Sequence, residues 1–117
     1  MPGLSAETVV QVAGRAAREK KAVDLVALDL TTLSGIADYF LVMSARSTTH
    51  ADTIAEGVRR ALRERGARLR HVEGDAGSGW LLMDYGDVIV HVFLDDTRRF
   101  YDLERLWGDA PLITVEG

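Results

Sequence analysis

The segment Trp80 to Leu94, WLLMDYGDVIVHVFL, constrains this chain more than any other. Two apolar runs flank Asp84-Tyr85-Gly86-Asp87, and a short polar break containing glycine marks a β-hairpin. With Tyr85-Gly86 as a two-residue turn, Asp84 faces Asp87, Met83 faces Val88, Leu82 faces Ile89, Leu81 faces Val90 and Trp80 faces His91. Opposed residues project from the same face of a sheet, and the faces alternate along each strand. Leu81, Met83, Val88, Val90 and Val92 then make a wholly apolar face, expected to be core. Trp80, Leu82, Asp84, Asp87, Ile89 and His91 make the other, which mixes an indole, aliphatic chains and polar groups. A slip of one residue would exchange the two faces.

The rest of the chain supplies layers for this hairpin. Ser5 caps a helix whose apolar positions recur at Val9, Val12, Ala13 and Ala16. Ala22 to Leu30 reads as a strand and is followed by the loop cluster Thr31, Thr32, Ser34 and Gly35; Asp38 to Ser44 reads as a second strand. Ser47, Thr48 and Thr49 offer caps for a helix with Ala51, Ile54, Ala55, Val58, Ala61 and Leu62 on one stripe, stopped at Gly66. Leu69 to Val72 reads as a short strand, Glu73 to Gly79 as a loop, and Trp80 to Asp84 and Asp87 to Leu94 as the hairpin strands. A final helical segment holds Phe100, Leu103, Leu106 and Trp107. This order predicts an α/β domain over residues 1–110, a mixed five-stranded sheet with helices mainly on one face, and a C-terminal tail over 111–117. So few helices leave the Trp80 face at least partly open, unless the C-terminal segment folds back and makes Trp80 core.

Composition narrows the function. The 117 residues suit one core, and the absence of cysteine removes disulfides, zinc thiolates and thiol nucleophiles. The N-terminus lacks the pattern of a secretory signal and no apolar run approaches a membrane span, so a cytoplasmic protein with no membrane partner is expected. The net charge of −4 argues against a protein that works mainly by gripping phosphates and favours a basic protein as partner, with little direct nucleic acid contact. Arg59, Arg60, Arg63, Arg65, Arg68 and Arg70 read as a solvated helix face.

Chemical sites are scarce. His50, His71 and His91 fall on separate elements without metal-ligand spacing, so no metal or cofactor is expected. The glycines of Glu73 to Gly79 lack the Lys-Ser/Thr of a phosphate loop and sit among acids. Asp24, Asp29, Asp38, Asp84, Asp87, Asp95 and Asp96 suit caps and turns, and no Ser-His-acid pattern suggests a triad. A binding protein that is not an enzyme is the expectation. An open sheet face with Trp among aliphatic and polar neighbours is what an interface uses.

Several pieces occur here in a distinctive order: Asp24 to Asp29, Ala37-Asp38-Tyr39-Phe40, Glu73-Gly74, Trp80, Asp84 to Val88, Val90 to Phe93 and Arg99 to Trp107. Over Val9 to Ala110 the chain resembles the ribosomal silencing factor family, also called the Iojap or RsfS family. The resemblance implies a topology similar to nucleotidyltransferases without their catalytic motif. It implies binding to the large ribosomal subunit through its protein number fourteen, which blocks subunit joining and lowers translation. It also implies a homodimer as a further partnership. Carried over residue by residue, the contact positions are Trp80, Leu82, Asp84, Tyr85, Ile89 and His91, with Glu73 and Gly74 shaping the patch edge. Of Tyr39, Tyr101 and Trp107, at least two are expected to pack in the core. Gly77-Ser78-Gly79 ahead of Trp80 departs from the family pattern, as does Arg46, where relatives often carry glycine. The fold analogy leaves a nucleotide-binding enzyme of nucleotidyltransferase type as the alternative.

Overall fold

The computed structural model describes residues 4–33, 35 and 37–115. Ser34 of the expected loop cluster and the last two residues of the expected tail lie outside them. Helix α1, Ala6–Glu19, starts where Ser5 Oγ accepts the Thr8 N–H at 3.1 Å. Helix α2, Thr48–Glu64, starts where Ser47 Oγ accepts the His50 N–H at 3.0 Å. Each satisfies a backbone donor that has no partner inside the helix. Gly66, at φ +83°, turns the chain out of α2 in a conformation that a side chain would strain.

The strands are β1 (Val23–Asp29), β2 (Tyr39–Ala45), β3 (His71–Asp75), β4 (Trp80–Asp84), β5 (Val88–Leu94) and β6 (Leu112–Ile113). They form one mixed sheet in the order β3-β4-β5-β2-β1-β6. Strands β2 and β5 run parallel and every other neighbouring pair is antiparallel. Among the described residues six strands replace the expected five, because part of the expected tail pairs with β1 as β6, through Ala27 with Ile113 and Leu28 with Leu112. The backbone groups along that side of β1 would otherwise have no partner. Val115 is buried beyond it, against Gly14 of α1.

The hairpin turn is longer than expected. Trp80 pairs with Phe93, Leu82 with His91 and Asp84 with Ile89. The Asp84 carboxylate accepts the Gly86 N–H at 2.7 Å, Gly86 sits at φ +91°, and the Tyr85 N–H donates to Val88 O. These bonds draw Tyr85, Gly86 and Asp87 into the turn, so Asp87 leaves the ladder. The pairing moves by two residues. An even shift keeps every side chain on its expected face.

The two faces of the sheet have separate cores. Leu81, Met83, Val88, Val90 and Val92 join Leu41 and Met43 beneath the apolar stripes of α1 and α2. On the other face the C-terminal segment folds back. Its helix α3, Asp95–Tyr101, ends at Asp102, which adopts φ +49°, and α4, Leu103–Leu106, follows. Leu103, Trp107 and Ala110 pack over Leu28, Phe40, Val42, Ile89 and Phe93. This face is therefore closed over β5, β2 and β1, so it is partly open, as expected, but over fewer strands than the hairpin alone suggested. It stays open over β3 and β4.

Arg98 fastens the cover. Its buried guanidinium donates to Ser44 Oγ at 2.8 Å and pairs with the Glu104 carboxylate at 3.0 Å. One cation thus joins α3, α4 and β2 across the break at Asp102.

Candidate docking surface

The uncovered corner is built by β4 and the edge strand β3. The expected loop from Glu73 is instead strand as far as Asp75, because Glu73 pairs with Leu82, Gly74 with Leu81 and Asp75 with Trp80. Gly74 sits at φ +72° with the Trp80 carbonyl lying where a Cβ would go. That close approach requires glycine. Asp75 and Ser78 then cap each other around the 3₁₀ turn Ala76–Ser78, and Gly79 at φ +86° delivers the chain to Trp80.

Trp80 is half-buried and held from beneath. Its indole N–H donates to His91 Nδ1 at 3.1 Å. Its ring lies 5.0 Å from Phe93 and 4.6 Å from Tyr101. His91 is only 3% exposed and meets the edge of Phe40 at 4.6 Å. Accepting at Nδ1 places the neutral ring's proton on Nε2, and Nε2 has no partner among the described residues. Burial among apolar groups pushes the His91 pKa down to about 3. The imidazole is therefore a neutral strut under the indole.

The expected contact residues separate into three sets. Trp80, Leu82 and Asp84 are half-exposed on the open corner, beside the exposed Glu73. Ile89 and His91 are buried below it, so they support the surface without forming it. Tyr85 turns the other way and packs against the helix-side core, while Gly74 shapes the strand from that same side. Burial pushes the Tyr85 hydroxyl pKa up. Of the three aromatic positions, Tyr39 is buried and Trp107 packs on the second core. Tyr101 is 48% exposed and widens the corner.

Phe100 was not among the expected contacts, yet it is 81% exposed, next to Tyr101. Adjacent aromatics on a helix cannot both face one core, because successive residues lie about 100° apart around the axis. That was the available signal. Phe100, Tyr101, Trp80, Thr97, Asp96 and Ser78 line a shallow groove of about 410 Å³. Glu73, Asp75, Asp84 and Asp96 give the corner an acidic rim.

The other candidate groups lie apart. His50 Nδ1 accepts the Arg46 N–H and its Nε2 meets the Lys20 carbonyl, pinning the start of α2 to the end of α1. Exposed His71 lies 3.2 Å from Glu73. Among the described residues, no group of three or more His, Cys, Asp or Glu is placed to hold a metal ion. Asp24, Asp95, Asp96 and Arg46 line a groove at the C-terminal ends of β2 and β5, where the carboxylates oppose a nucleotide's phosphates. Among the described residues, no helix is long and apolar enough to cross a membrane.

Residues 4–117 match the model of the family described as "Ribosomal silencing factor during starvation". The chain belongs to this family. A relative from Halalkalibacterium halodurans called "Ribosomal silencing factor RsfS" is 40% identical over 114 residues, covering 97% of each chain. The fold agrees with a crystal structure of a Chromobacterium violaceum protein at TM-score 0.86 and 31% identity, over 90% of this chain and 88% of that one. A more distant mouse relative, 29% identical over 93 residues, spans 77% of this chain and 41% of its own. It is called "Mitochondrial assembly of ribosomal large subunit protein 1". As in the sequence resemblance, the matched region of this family member takes in both the sheet and the C-terminal cover.

Proposed function

We propose that this protein docks on the large ribosomal subunit through the corner formed by Trp80, Leu82, Glu73 and Tyr101 and thereby keeps the small subunit from joining. The observation that carries the reading is Trp80, an indole half-exposed at the uncovered end of a sheet and braced by a buried histidine. Tryptophan is among the residue types that most often dominate interface energy, and a braced ring loses little rotamer freedom on binding. The acidic rim suits a basic ribosomal protein. The large-subunit protein number fourteen implied by the family resemblance is the partner we assign. A standard interface needs roughly 800 Å² from each partner, enough to block a surface by occupancy alone. Translation then falls because free large subunits are held apart from small ones, and the protein works in the compartment that holds them. The names carried by the bacterial and mouse relatives support a ribosomal partner.

The test is pelleting of purified large subunits with wild-type and Trp80→Ala protein. The variant is expected to stay in the supernatant while remaining folded. Equal pelleting of both proteins contradicts the assignment of the corner. A second copy of the chain seated on the same corner would show as a dimer that large subunits dissociate.

A further inference from the structure

Residues 59–70 hold Arg59, Arg60, Arg63, Arg65, Arg68 and Arg70 against one acid, Glu64. That segment carries +5, which leaves −9 on the rest of the chain. All six arginines are exposed, and among the described residues none forms an ion pair. Of the six arginines elsewhere, two are held by carboxylates, while Arg15, Arg18, Arg46 and Arg105 form no ion pair among the described residues. Arg98 holds Glu104, and Arg99 holds Asp95 and Asp96.

The fold gathers four of these arginines, Arg59, Arg63, Arg68 and Arg70, at the tip of the β4–β5 hairpin, whereas Arg60 lines a separate groove with Glu19, Asp52, Glu56 and Glu64. Arg59 and Arg63, one turn apart on α2, both act electrostatically on Tyr85. Arg70 donates its backbone N–H to Asp84 O at 2.8 Å and lays its guanidinium across Gly86, filling the space a side chain there would need. Arg68, Arg70 and Tyr85 line one groove, with Asp87 as the acid among them. The nearby Asp84 carboxylate is already taken by the Gly86 N–H. Like charges a turn apart on a helix destabilise it. Folding alone therefore gives no reason for this clustering.

The composition of the patch points to the ligand. Every cation is arginine, whose planar fork matches the oxygens of a phosphate. The apolar side chains of α2 are turned inward, so it offers no greasy face for a lipid surface. The patch lacks an exposed aromatic anchor of the kind a protein interface is built around. Repeated cations without anchors fit a repeated anion.

We propose that this arginine patch grips the phosphate backbone of RNA, so that ribosomal RNA is held beside the protein docked at the Trp80 corner. Binding to RNA follows from the patch alone; its location on the ribosome rests on the docking reading. The arginines are solvated, as expected from sequence; the departure from that expectation is only that they take an RNA partner.

The experiment is fluorescence anisotropy of a labelled RNA hairpin titrated with the full chain between 50 and 200 mM KCl. Wild type is expected to bind with a log–log salt slope of about −2 to −3, as for three or four neutralised phosphates. Arg63→Ala/Arg68→Ala/Arg70→Ala should weaken binding at least tenfold at 50 mM and flatten the slope by about 2. Arg15→Ala/Arg105→Ala, which removes two exposed arginines elsewhere, should bind like wild type. The triple variant's circular dichroism melt confirms that it is folded. No binding by wild type at 50 mM, an undiminished triple variant, or an equal loss in the distant control overturns the proposal. So does equally tight binding to phosphatidylserine vesicles or to a polyglutamate peptide, which would make the patch a membrane or acidic-protein site. No ribosome enters this assay, so unchanged pelleting of Trp80→Ala would sink the docking reading and leave this result standing.

Discussion

The two faces of the sheet solve the same problem differently. The face bearing Leu41, Val90 and Val92 is covered by helices of 14 and 17 residues, each presenting one apolar stripe. The opposite face is covered by a 7-residue helix and a 4-residue helix, broken at Asp102 and tied down through Arg98. The long helices seal their face over β4, β5, β2 and β1 and leave Val72 of the edge strand β3 exposed. The short ones stop before β3 and β4 and leave Trp80 and Leu82 half in water. The helix-side face is thus sealed over β4, β5, β2 and β1, and the opposite face is sealed over β5, β2 and β1 only.

Three measurements can break that contrast. The largest effect is on the sealed face. Leu41 is fully buried, so Leu41→Ala should cost about 3–4 kcal/mol in urea denaturation. Leu82→Ala at the open corner should cost under about 1.5 kcal/mol. Equal costs would mean that the corner is as closed as the core.

The second effect is a pH dependence specific to the partly covered face. Below about pH 6.5 the unfolded chain takes up a proton at residue 91 that the folded chain refuses until about pH 3. Stability should therefore fall by about 1.4 kcal/mol for each pH unit below 6.5 on account of His91. Over the two units from 6.5 to 4.5 this amounts to roughly 2–3 kcal/mol. His91→Gln keeps an acceptor for the Trp80 indole and removes the titration. Its stability should fall less steeply with acid, and parallel decline of the two proteins would refute the buried neutral imidazole.

The third effect is on the tether. Glu104→Ala leaves the Arg98 guanidinium buried and without its carboxylate. Because Glu104 is itself 37% exposed, the cost should be about 2 kcal/mol, below that of breaking a fully buried pair. Thermal denaturation reads it. No change would show that the cover is held by Leu103 and Trp107 alone.

Much of the fold was legible in the sequence because local chemistry decided it. Ser5 and Ser47 cap the helices they were expected to cap, and the strand Trp80 to Asp84 begins and ends where expected. The division of the hairpin into two faces survived a wrong turn length because the error was even. What escaped depends on contacts made far along the chain. A strand of two residues such as β6 is too short to show a period. Gly74 read as loop, since a glycine at positive φ inside a strand looks like a breaker. Nothing in DDTRRF distinguishes buried Arg98 from exposed Arg99. His91 looked like a surface contact because the rings that enclose it, Phe40, Trp80 and Phe93, come from three strands, and Phe40 is in turn covered by Trp107 from the C-terminal segment. Of the candidate site, Trp80, Leu82, Asp84 and Glu73 were readable from pairing and family resemblance, whereas the contribution of Phe100 and Tyr101 follows from where the cover stops.

The central claim is that the bare corner is the docking surface. Titrating large subunits with wild-type and Trp80→Ala protein, with urea denaturation run on the same samples, tests it most directly. The account predicts at least about thirtyfold weaker binding for the variant, the loss expected of an interface anchor, with the fold retained. A folded Trp80→Ala protein that binds large subunits as tightly as wild type would contradict it.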